Sequence, residues 1–184
     1  MKKQEAKMFC FQCEQAKNGK GCDTTGICGK DPITSMMQDV LVYQVEGISY
    51  LENKLRNIGK RNRVSDKYVI ESLFTTVTNV NFDAETIKQI IFEGQKLKEE
   101  LLSEYKKTLG DKNLIENVLW QPPNNTSDFI EFATRISIKE SYKKFGEDIA
   151  SLRELLLYGL KGMAAYADHA MILGKTDDKV FDFF

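Results

Sequence analysis

Apolar residues recur every three or four positions along most of this chain, and short polar breaks divide the recurrence into helices. Met37, Leu41, Val45, Ile48, Leu51, Leu55 and Ile58 predict one amphipathic helix of about seven turns. Asp31-Pro32 supplies its start, an N-cap followed by proline at the first helical position, and Gly59 suits its end. A second helix is expected after Ser65, with Val69, Leu73, Val77 and Val80 on one face, although the β-branched TTVTNV stretch weakens it. Asp83 caps a third, with Ile87, Ile90, Ile91, Gly94, Leu97, Leu101 and Tyr105 on its buried side and Gly110 closing it. Leu114–Trp120 reads as a short helical segment, QPPNNTS as a loop, and Ser127 as the cap of a helix through Phe129, Ile130, Ala133 and Ile136.

The last long helix is expected from Glu147 to Leu173, ending at Gly174. Ile149, Leu152, Leu156, Gly159, Met163, Tyr166 and Ala170 share a face, with Ala164 and Ala167 on or beside it, small residues that admit another helix at close range. No segment alternates as a strand does, and no internal repeat is visible, so the expected fold class is all-α, built of packed helical bundles. Residues 10–30 instead carry Gly19, Gly21, Gly26 and Gly29 without periodicity, which predicts a loop-rich pocket. The chain thus reads as a single helical domain over residues 1–184: a cysteine segment at 8–32, bundles at 33–174, and the start of a truncated helix at 175–184. A helix that short is not stable alone. The terminal Phe183-Phe184 predicts a longer parent protein cut at this point; the alternative is that these rings tuck back into the core.

Composition narrows the functional classes. With 26 basic against 27 acidic side chains, no cationic footprint for nucleic acid stands out. Lys106-Lys107 and Lys143-Lys144 sit among acids and read as solvated helix faces. The basic start MKKQEAK is followed by no apolar stretch of signal-peptide length, and no run approaches the roughly 20 apolar residues of a membrane span. The expected compartment is cytoplasmic, where thiols stay reduced and clustered cysteines bind metal more often than they pair.

All four cysteines fall in 19 residues, as Cys10, Cys13, Cys22 and Cys28, in the pattern C-x2-C-x8-C-x5-C. Four thiolates gathered this closely can wrap one metal centre, and a cubane iron–sulfur cluster takes one per iron. Phe9 and Phe11 flank the first ligand as candidate shields for such a centre. The glycines let backbone N–H groups turn toward sulfur. Lys17, Lys20 and Lys30 lie nearby in sequence, readable either as counter-charges or as plain surface residues. Zinc is the competing reading, although its four-cysteine sites usually present two short knuckles where this chain has one. The spacing also differs from both common ferredoxin runs, and a thioredoxin-like role for Cys10 and Cys13 lacks the βαβ context it needs.

The stretch MFCFQCEQAKNGKGCDTTGICGKDP, from Met8 to Pro32, resembles the opening of the hybrid cluster protein family, also called prismane proteins or hydroxylamine reductases. A second stretch, SLRELLLYGLKGMAAYADHA from Ser151 to Ala170, is similar to a segment near the end of that family's N-terminal helical domain. The resemblance covers nearly the whole chain but only about the first third of a family member. It implies a 4Fe–4S cluster held by Cys10, Cys13, Cys22 and Cys28, because members with a wider middle gap hold a 2Fe–2S cluster instead. It implies an oxidoreductase parent that reduces hydroxylamine to ammonia, or nitric oxide, at a separate hybrid iron–sulfur–oxygen cluster. That cluster is bound by a histidine, glutamates and cysteines of two later α/β domains, which would be this domain's partners together with a redox electron donor. No cysteine follows Cys28, so this chain alone is expected to be inactive, with no catalytic residue of its own. The chain departs from the family in the seven residues ahead of Met8 and in Ala16, where threonine is common; neither touches a ligand.

His169, the only histidine, is expected to serve a capping or surface role near a helix C-terminus, and Trp120 to pack over a bundle end. Three functions compete: an electron-transfer domain of a hydroxylamine-reductase-like protein, a non-enzymatic zinc-binding interaction module, and a free-standing ferredoxin-like carrier.

Overall fold

Asp31 opens the first helix by accepting hydrogen bonds from the N–H groups of Ile33 and Thr34, at 2.9 and 3.1 Å, with Pro32 at the first helical position. A computed structural model describes residues 6–184; Met1–Glu5, most of the basic start considered above, lie outside the described residues. The helices are α1 (Pro32–Arg56), α2 (Arg63–Thr75), α3 (Ala84–Leu109), α4 (Glu116–Leu119), α5 (Thr126–Arg135), α6 (Ile138–Phe145), α7 (Glu147–Ile172) and α8 (Asp178–Phe183). Among the described residues there is no strand, and the fold is all-α. No helix of it is long and apolar enough to cross a membrane.

Helix α1 is the central element, packed against α2, α3, α4 and α5, while α2 also carries α7, which in turn carries α6. Val40, Leu41, Ile48 and Leu51 of α1 meet Ile70 of α2 and Ile87 and Ile91 of α3 in a fully buried core. Each such side chain contributes about 1.5–3 kcal/mol of transfer free energy. Polar side chains fix the register inside this apolar contact. Gln44 on α1 donates to the Ile91 carbonyl at 2.8 Å, and Tyr68 donates to the Ile90 carbonyl at 2.9 Å. Gly47 lets α4 approach: a Cβ there would lie 2.6 Å from the Asn117 carbonyl oxygen.

Several expectations shift. Helix α2 starts at the Asn62 cap, which accepts from Val64 and Ser65, rather than at Ser65. It stops at Thr75, where the Thr76 hydroxyl donates to the Leu73 carbonyl at 2.8 Å; Val77 and Val80 belong to the turn that follows. Asn125, not Ser127, caps α5, accepting from the Asp128 N–H at 3.0 Å. The α7 face expected to meet a neighbour is exposed, with Leu152, Leu156 and Tyr166 at 65, 64 and 82%. Its buried side carries Ala150, Lys161, Ala164 and Asp168 instead.

The last residues fold back onto the core. Phe181 is buried and Phe184 half-buried, while Phe183 is exposed. Arg56 donates to the Phe181 carbonyl at 3.1 Å, the Arg63 guanidinium lies over the Phe181 ring, and Arg61 and Arg63 pair with Asp182 and Asp178. Trp120 stacks on Phe132 at 4.8 Å, and buried Lys98 donates to the Trp120 and Asn117 carbonyls. His169 is exposed in the last turn of α7, edge-on to Phe74.

Candidate metal centre

The cysteine segment has little regular structure, so its own backbone bonds must shape it. Cys10 and Cys22 exchange hydrogen bonds, N–H to carbonyl, at 3.0 and 2.8 Å, clamping the two ends of a hairpin-like excursion. Between them the Ala16 N–H donates to the Cys13 carbonyl at 3.1 Å, and a single 3-10 turn over Lys17–Gly19 reverses the chain. Past Cys22, Gly26 and Lys30 close a tight loop around Cys28, the Gly26 N–H donating to the Lys30 carbonyl at 2.8 Å. A Cβ at Gly26 would lie 3.0 Å from Cys28 Sγ, so glycine keeps the backbone close against the sulfur.

This geometry brings Cys10, Cys13, Cys22 and Cys28 to the lining of one small pocket, all as free thiols. Cys22 is buried and the others are half-buried. Met8, Ala16, Gly26, Ile27, Lys30 and Thr78 complete the walls. Phe9 and Phe11, the candidate shields, are not in that lining. Phe11 packs edge-on to Tyr158 of α7 at 5.7 Å and to Phe9 at 5.4 Å, which docks the loop onto the helical body. Met8, itself buried, is the large apolar side chain that lines the pocket in their place. The enclosed space is only about 10 Å³. A polynuclear centre would therefore push the thiols outward, which half-buried side chains on a glycine-rich loop permit. Among the described residues no three His, Cys, Asp or Glu side chains converge as they would on a single ion.

The donor set nonetheless fits an iron–sulfur cluster: four sulfurs, no histidine or carboxylate in the lining, and walls that are apolar apart from Lys30 and Thr78. Burial pushes the Cys10 thiol up, opposed by a backbone hydrogen bond from Gln12 and by the charges of Lys30 and Lys161. The sequence could not separate the three nearby lysines, and the structure does. Lys17 and Lys20 are exposed, Lys17 lying 3.8 Å from Asp23, whereas Lys30 is 2% exposed and lines the cysteine pocket.

Beside the pocket, Cys10 and Lys30 also border a cleft of about 810 Å³ between α1 and α5–α7. Asp39 opens into it, still exposed to solvent; desolvation by the protein around it raises its carboxyl, against the pull of Lys161 and Lys30. Burial likewise holds Lys161 down at about 8 and raises Glu154. Nothing in the sequence marks this group, because an acid or a lysine on a helix is ordinarily a solvated residue.

The family model described as Prismane/CO dehydrogenase family matches residues 8–184, nearly the whole chain. The chain belongs to the Prismane/CO dehydrogenase family. Among its prismane relatives are a hydroxylamine reductase of Methanocella arvoryzae, 40% identical, and one of Clostridium botulinum (strain Loch Maree / Type A3), 38% identical. Each alignment covers 96% of this chain but only 33 and 35% of the relative. A hydroxylamine reductase of Thermodesulfovibrio yellowstonii gives the same picture, 40% identical over 96% of this chain and 32% of its own length. The chain thus spans about a third of the curated prismane relatives it matches.

Proposed function

We propose that this chain is the cluster-binding, electron-relaying domain of a hydroxylamine-reductase-like protein, active in the reducing cytoplasm. The observation that supports this most directly is that Cys10, Cys13, Cys22 and Cys28 all line one small, largely apolar pocket. A bound 4Fe–4S cluster would supply a one-electron redox couple. The chain's part is to hold and screen it. The Cys10–Cys22 clamp holds the backbones of two ligands side by side, the Gly26–Lys30 loop presents Cys28, and buried Met8 closes one wall. The reduction of hydroxylamine or nitric oxide belongs to the hybrid cluster of the whole protein, in α/β domains beyond the matched third. No residue here is assigned to that step.

Stoichiometric reduction tests the relay. Anaerobically loaded chain should accept about one electron from reduced methyl viologen, bleaching its visible absorbance, and return it to an oxidised one-electron acceptor without losing iron. A loaded chain that bleaches irreversibly, or takes up no electron, would leave the cluster without a relay role.

A further inference from the structure

Lys30 is a buried ammonium that no carboxylate contacts among the described residues, Asp39 acting on it only at longer range. At 2% exposure its one hydrogen bond goes to the neutral amide of Gln38, Nζ to Oε1 at 2.6 Å, and it enters no ion pair among the described residues. Gln38 cannot turn away, because its own amide nitrogen donates to the Asn81 carbonyl at 2.9 Å. The ring of Phe82 lies beneath the ammonium, 5.8 Å from Nζ to the centroid. Burying a charge without an opposite charge is costly, and such sites persist where something compensates the cost. Lys30 shares the pocket lining with the four cysteines, and its charge acts on Cys10. Of the acids of the adjoining cleft, Asp39 feels the charge of Lys30 without forming an ion pair with it, and Asp39 and Glu154 both act on Lys161 of α7.

We propose that Lys30 is the built-in counter-charge of the four-thiolate centre and sets its reduction potential. The proposal rests on the cluster-binding reading above. When a reductant of the dithionite class gives one electron to the cluster, the centre gains one unit of negative charge and no proton need move. A fixed buried cation stabilises the more negative state more than the less negative one, so it raises the potential; net charge is one of the recognised determinants of cluster potential. Exposed Lys20 lacks this leverage, because solvent and salt screen it.

The test is a reductive titration of cluster-loaded wild type, Lys30→Met, Lys30→Arg and Lys20→Met, followed by electron paramagnetic resonance. Lys30→Met should shift the one-electron equilibrium at least tenfold toward the oxidised form, which is about 59 mV downward. Lys30→Arg, which keeps the charge, should recover most of that shift, and Lys20→Met should leave the potential where it was. If Lys30→Met keeps wild-type helicity but loses iron, retention by Lys30→Arg upholds the counter-charge, whereas loss in both variants overturns it in favour of packing. A loaded Lys30→Met with the wild-type potential overturns it outright. Wild type that binds no cluster would refute the functional reading underneath, a separate and visible failure.

Discussion

Asp66 is the acidic centre of the contact that holds the end of the chain against α1 and α2, and Asp66→Ala should expose its worth. Its side chain is 1% exposed and accepts from Arg56 at 2.7 Å and from Arg63 at 3.1 Å. Removing one partner of a buried pair costs about 3–5 kcal/mol, because the other charge is stranded. Arg56 is not wholly stranded: it is 18% exposed and keeps the Phe181 carbonyl at 3.1 Å and Asp182 at 3.6 Å. The half-exposed Arg63 pair adds only a few tenths. The expected loss is therefore about 2–3 kcal/mol, a substantial part of the roughly 5–15 kcal/mol that holds a domain folded. Urea unfolding followed by helical circular dichroism measures it, and amide exchange over residues 178–184 should accelerate in step. The double replacement Arg56→Met with Asp66→Leu, which strands neither charge, should recover much of the loss. A loss below about 0.5 kcal/mol for Asp66→Ala would mean that the network is decorative and that α8 is held by Phe181 alone.

Lys98, held down at about 8 chiefly by burial, binds its proton less tightly folded than unfolded. Its contribution is thus most favourable above the unfolded value of 10.5 and is lost as pH falls through about 8, so wild-type stability minus that of Lys98→Met should rise between pH 7 and 10. A flat difference would refute the burial of a charged amine there. Gly26→Ala places a methyl 3.0 Å from Cys28 Sγ and 3.2 Å from Lys30 Cβ, and should lower iron retention without reducing helicity; unchanged iron content would count against the tight loop. Cys22→Ser should lose or degrade the cluster, and undiminished iron would remove Cys22 from the ligand set.

The helices and their caps were largely legible because they are written locally. Asp31-Pro32 and Asp83 cap as expected, and Gly110 ends α3 with a positive φ. Asn62 and Asn125 were missed in favour of Ser65 and Ser127, since both residue types cap well and only the backbone path decides between them. Helix α6, IKESYKKF, is short and polar enough to read as loop. The apolar stripe of α7 was visible, but periodicity finds a stripe without saying which side another helix covers. The same limit governed the site. Cysteine spacing marked the candidate ligands, whereas the burial of Lys30 and the place of Met8, rather than Phe9 or Phe11, in the pocket lining depend on which segments fold over the loop.

The most direct test of the central claim is the iron, acid-labile sulfide and zinc content of anaerobically purified protein, with an electron paramagnetic resonance spectrum after reduction. The account predicts about four irons and four sulfides per chain and a reducible signal. One zinc with no sulfide in freshly prepared protein would contradict it and leave a structural zinc module in place of an electron relay.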